Sequence, residues 1–115
     1  MRSKSVSPIK LRVMAEYGSS GIWFVQRTGV FRHSMIEHSA LNLPLHLSKK
    51  FDHWIKTYEQ NLSEDDTFNT IQFNEEGRQL SRELYIFMKN RAEIEFVPEN
   101  PDGSLSVPEH FLPEK

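Results

Sequence analysis

The chain has no cysteine. That excludes a disulfide framework, a thiolate metal site and a cysteine nucleophile. No apolar run approaches the roughly 20 residues that a membrane-spanning helix needs. The basic, Ser-rich opening Met1–Pro8 is not followed by the apolar core of a signal peptide, because Lys10, Arg12 and Glu16 interrupt the next stretch. No internal repeat is visible. The turn Gly18-Ser19-Ser20-Gly21 lacks the Gly-Lys-Ser/Thr ending of a phosphate loop. From these absences the expectation is a soluble, unexported, intracellular protein with no membrane partner and no phosphate-loop nucleotide site.

What is present fits one domain. A length of 115 residues allows one core and not two. The net charge of −2 hides an asymmetry. Residues 1–58 carry nine Lys/Arg against three Asp/Glu, a net of +6, and residues 59–115 carry five against thirteen, a net of −8. A strongly acidic half is a candidate docking surface for a basic partner.

Periodicity places the elements. Ile9–Tyr17 alternates, with Leu11, Val13, Ala15 and Tyr17 on one side, and Ile22–Gln26 reads as its return strand. Gly18 and Gly21 suit the positive φ of the loop between them. Ile22 and Phe24 share the core face, which leaves Trp23 on the other. Residues 27–45 show no clean period, and Phe31–Ser39 has room for a helical turn or two. Leu47, Phe51, Trp54, Ile55, Tyr58 and Leu62 form one apolar stripe and predict a helix over Leu47–Leu62, with Ser48 as its N-cap. A second helix is predicted over Asn74–Lys89, with Asn74 as cap, Glu75 and Glu76 facing the positive end of the dipole, and Gly77 at a close approach. Ala92–Val97 alternates again and ends at Pro98.

The predicted fold is α+β. A three-stranded, mainly antiparallel sheet combines the N-terminal hairpin with the C-terminal strand, the first strand in the middle, and two helices cover one face. Leu11, Val13, Ala15, Ile22, Phe24, Ile94 and Phe96 form the sheet's side of the core. Residues 1–8 are expected to be a disordered head, 9–98 the domain, and 99–115 an extended Pro-rich tail.

Candidate chemistry is thin. His33, Glu37 and His38 are the densest group of potential ligands, but on a helix only His33 and Glu37 share a face, too few for zinc. Glu16 with Arg32 and His33 could support acid–base hydrolysis; the same trio also makes an ordinary ion-pair network. Lys49, Lys50, His53 and Lys56 give a basic helical face without the interleaved aromatics of a nucleic-acid surface. The expectation is no metal, no cofactor, no nucleic-acid partner and no catalysis. The acidic residues Glu64, Asp65, Asp66, Glu75 and Glu76 gather where the two helices meet in sequence. They and the two large apolar residues outside the core stripes, Trp23 and Phe68, are the candidate partner-binding residues.

Three stretches carry a resemblance: Ala15-Glu16-Tyr17-Gly18-Ser19-Ser20-Gly21-Ile22-Trp23, Phe31-Arg32-His33-Ser34-Met35-Ile36-Glu37-His38, and Phe51-Asp52-His53-Trp54-Ile55 with Tyr58. Phe73-Asn74-Glu75-Glu76-Gly77-Arg78 extends it. The chain resembles the small bacterial immunity proteins encoded beside polymorphic toxins, including those of contact-dependent growth inhibition. The resemblance implies a cytoplasmic antitoxin that binds one-to-one to a cognate toxin, a basic nuclease-like domain, and blocks it. The rival readings are a small hydrolase using Glu16, Arg32 and His33, and a general protein-interaction module.

Overall fold

A computed structural model describes residues 9–25, 33–63, 70–100 and 106–111. The chain order is β1 (Ile9–Val13), β2 (Ile22–Val25), β3 (His33–Met35), a 3-10 turn at His38–Leu41, α1 (Leu45–Ser63), α2 (Thr70–Met88), β4 (Ala92–Phe96) and β5 (Glu109–Phe111). The strands form one mixed sheet in the order β3-β2-β1-β4-β5. β1 is central: it runs antiparallel to β2 and parallel to β4. The crossover from β1 to β4 carries both helices, as a parallel pair requires of its long connection.

The core lies between the helices and one face of the sheet. Leu11, Val13, Ile22, Ile94 and Phe96 are fully buried there against Leu47, Phe51, Trp54 and Leu84. Burying a large apolar side chain is worth about 1.5–3 kcal/mol, so this cluster supplies most of the folding drive. Trp54 is its pivot. Its ring stacks on Phe73 with centroids 4.7 Å apart, and its indole N–H donates to the Phe73 carbonyl at 3.0 Å. The polar edge of a buried tryptophan is thereby satisfied by the first turn of the neighbouring helix. Gly77 allows that closeness. A Cβ there would lie 2.5 Å from Phe96 and 2.6 Å from Trp54, so no larger residue fits between sheet and helix.

The α+β class, the two helices and the central first strand agree with the sequence reading; the strand number does not. The sheet has five strands, where three were expected. The two additions, β3 and β5, are edge strands of three residues each. Such pieces are too short to show alternation, and their neighbours specify them by pairing. β3 falls where a helical turn was expected, and only the 3-10 turn after it is helical. The alternation of residues 9–17 outlasts the strand: Met14 N–H still bonds to the Gly21 carbonyl at 3.1 Å, but β1 ends at Val13.

The helix starts also move. α1 begins at Leu45, and the Pro44 carbonyl accepts the N–H groups of Leu47 and Ser48. Ser48 is therefore inside the helix and not its cap. α2 begins at Thr70 because its buried stripe of Phe73, Gly77, Leu80, Leu84 and Met88 starts one turn earlier than Gly77. Asn74 sits in the helix, where its side chain has other work, and Glu75 and Glu76 lie beyond the first turn. The expected head, residues 1–8, lies outside the described residues.

Candidate partner-binding surface

The C-terminal end of α1, the first turns of α2 and the ends of β1 and β4 meet at one pole of the domain. Two clasps hold it together. Glu59 Oε2 accepts the Gly18 backbone N–H at 2.6 Å, tying the β1–β2 loop to α1. The Asn74 amide donates to the Glu99 carbonyl at 2.8 Å, and its Oδ1 accepts the Glu99 N–H at 3.0 Å. Both backbone groups of Glu99 are thus fixed by one side chain.

The Glu99 side chain has no such support. It is 9% exposed and accepts no hydrogen bond from any described residue. Burial, and then the charge of Glu16, push its carboxyl up to about 7. Tyr58 on α1 lies in the same field, its hydroxyl pKa raised by burial and by the charges of Glu99 and Glu16. The Val97 N–H bond to the Val13 carbonyl at 3.0 Å carries the β1–β4 contact one step past the paired strands, and beyond it Glu16 lies near enough to Glu99 for its charge to act on that carboxyl. Glu16 is exposed and Glu99 buried, so the pair has a rim and a floor.

The acidic residues named from sequence divide. Glu64, Asp65, Asp66 and Phe68 lie outside the described residues, on the segment joining α1 to α2. Glu75 is exposed and paired with Arg78 at 2.9 Å. Arg78 also grips Glu109 on β5 with two bonds of 2.7 Å, which holds the Glu109 carboxyl below the usual carboxylate range. Glu76 instead lines a groove of about 440 Å³ between the helices, with Lys49, Lys50, His53, Leu80 and Glu83. The structure therefore does not gather Glu75 and Glu76 into one bare acidic patch.

Trp23 lies elsewhere. Alternation against Ile22 and Phe24 puts it on the sheet face away from the helices. There the register forms one row across all five strands: Met35, Trp23, Arg12, Glu95, His110. Trp23 is half-buried and its indole N–H donates to the Met14 carbonyl at 3.0 Å. Glu95 is buried between Arg12, which donates to it, and Lys10 at 3.3 Å. Burial disfavours its charge, but the Arg12 bond and both positive charges outweigh burial and hold its pKa below the ordinary value.

Glu16, Arg32 and His33 do not present an observable trio. Arg32 and the His33 side chain lie outside the described residues, and His33 takes its backbone place opposite Val25. Within the described part of that polar stretch, His38 has a defined role. Its Nε2 lies 2.9 Å from the Ser20 carbonyl and its Nδ1 2.6 Å from Ser48 Oγ. A carbonyl only accepts, so Nε2 carries a proton, and in the neutral ring Nδ1 accepts from the serine hydroxyl. His38 thus clasps the β1–β2 loop to the start of α1. Among the described residues, no three His, Asp or Glu side chains come together to hold a metal ion.

Sequence reasoning missed Glu99. After Pro98 it reads as one more carboxylate of a tail, and nothing local marks it as buried. The apolar Phe96-Val97-Pro98 run before it is the one available signal.

A family model described as Serratia CdiI immunity protein-like matches residues 9–99. No curated protein and no solved structure matches the chain. The matched span includes both helices, β1 to β4 and the Glu16–Glu99 pole.

Proposed function

The chain belongs to the Serratia CdiI immunity protein-like family, and we propose that it neutralises a nuclease-like toxin by one-to-one binding in the cytoplasm, without catalysis of its own. Membership gives it an antitoxin role in contact-dependent growth inhibition. The family match is the observation that carries the reading, and the charge distribution supports its finer part. A nuclease domain must present positive charge to nucleic acid, and an acidic surface suits it through complementary fields that speed association.

In this reading the toxin docks on the pole where α1 passes into α2. Glu64, Asp65 and Asp66 follow α1 directly in sequence, and Glu16, Glu59 and Glu99 lie at that end. Glu75 and Glu76 flank it, partly compensated by Arg78 and the α1 lysines. Charges of this kind act on association rate and specificity, while apolar anchors carry more of the affinity. Phe68 is the anchor within the acidic segment; Trp23, on the opposite sheet face, anchors a partner only if the partner wraps the sheet.

The test is co-expression with the cognate toxin domain. The reading expects growth to be restored and the two proteins to purify as a one-to-one complex. Growth arrest that persists with the chain fully expressed would refute it.

A further inference from the structure

We propose that Glu16 and Glu99 form a receptor for a single cationic side chain, an arginine or lysine, presented by the partner. This rests on the immunity reading above and deepens it, by naming a contact where the toxin's charge is read. The pole is not merely acidic. Glu99 is nine-tenths buried, its backbone is locked by Asn74, and its carboxyl receives no hydrogen bond from any described residue. A buried carboxyl without a partner is costly, and one next to a second carboxylate more so. Such an arrangement gains nothing in the isolated domain. It becomes favourable when a cation seats between the two oxygens.

The surroundings suit that occupant. Glu16, exposed at the rim, meets the incoming charge first. Tyr58, half-buried beside the pair and stacked near Phe73, offers an aromatic wall for the aliphatic stem or the guanidinium face. Glu59 has one oxygen taken by the Gly18 N–H. No described lysine or arginine of the chain itself reaches Glu99: those with carboxylate partners are taken by Glu95, Glu83, Glu75 and Glu109.

Seating a cation must also expel a proton. The free protein near pH 7 holds Glu99 roughly half protonated, since its carboxyl is pushed up to about 7. A bound guanidinium or ammonium favours the carboxylate, so the proton leaves to solvent as the complex forms.

Isothermal titration calorimetry with the purified cognate toxin domain tests this in buffers of different ionisation enthalpy. The expected result is release of about half a proton per complex at pH 7, falling towards none by pH 9. Glu99→Gln should abolish the release and weaken binding about thirtyfold or more. Glu16→Gln, an exposed change that leaves the fold intact, should lower both the release and the affinity by less. Binding without proton release, or an unchanged affinity in Glu99→Gln, overturns the inference and leaves the immunity reading standing. A wild-type chain that does not bind the toxin domain at all overturns the immunity reading, and this inference with it.

Discussion

Replacing Glu99 by glutamine should stabilise the isolated protein, and only at higher pH. The glutamine amide has nearly the shape of a protonated carboxyl and cannot ionise, so the substitution removes the charge and little else. In the folded protein the carboxyl is pushed from 4.5 to about 7, first by burial and then by Glu16. The folded value is raised, so Glu99's stabilising contribution is fully present below pH 4.5 and is lost as pH rises through 7. At about 1.36 kcal/mol per pKa unit, the loss by pH 8 reaches about 3 kcal/mol as a ceiling. Glu99 is only 9% exposed, so solvent screening trims that figure modestly; Glu16 is exposed, and its share is trimmed more. The assay is urea unfolding of both proteins at pH 4 and pH 8. Glu99→Gln should be more stable by about 1–3 kcal/mol at pH 8, with the two converging to within about 0.5 kcal/mol at pH 4. Equal stability at pH 8, or a glutamine variant that is weaker there, would mean that the carboxylate is solvated or paired in the native protein, and the reasoning would fail.

Three further substitutions probe the frame. Gly77→Ala should cost about 1–3 kcal/mol in thermal or urea unfolding, because the new methyl meets the Phe96 and Trp54 rings at 2.5 and 2.6 Å. Trp23→Ala should lower stability by about 1–3 kcal/mol, since a half-buried ring and the bond to the Met14 carbonyl are both lost; Trp23→Phe, which keeps an aromatic ring of smaller area and drops the bond, should cost less, about 1 kcal/mol. His38→Ala should cost about 1–3 kcal/mol by leaving the Ser20 carbonyl and the Ser48 hydroxyl without their partner, and amide exchange should rise first in the β1–β2 loop.

The parts of the fold that were legible in sequence are those whose pattern is long enough to repeat. The α1 stripe of Leu47, Phe51, Trp54 and Ile55 and the alternations of β1 and β4 each report a buried face directly. β3 and β5 were not legible, because three residues carry no period and their place is set by Trp23, Val25, Ile94 and Phe96 across the ladder. Helix caps misled for a related reason. Asn74 and Ser48 have the chemistry of caps, but their side chains are taken by the Glu99 backbone and by His38, partners distant in sequence. Glu99 was hidden for the same cause: the residues around it, Glu16, Tyr58 and Asn74, are all distant in sequence, and no local window contains them.

Stopped-flow mixing of the chain with its toxin domain, at low and at high salt, tests the docking pole most directly. The comparison is between the wild-type chain and one in which Glu64, Asp65 and Asp66 are changed together to Gln, Asn and Asn. The account predicts a fast wild-type association rate that falls steeply with salt, and a variant that associates about tenfold more slowly with a much flatter salt response. An association rate and salt dependence unchanged by the triple neutralisation would contradict it, and would move the search for the toxin's docking site to the basic half of the chain.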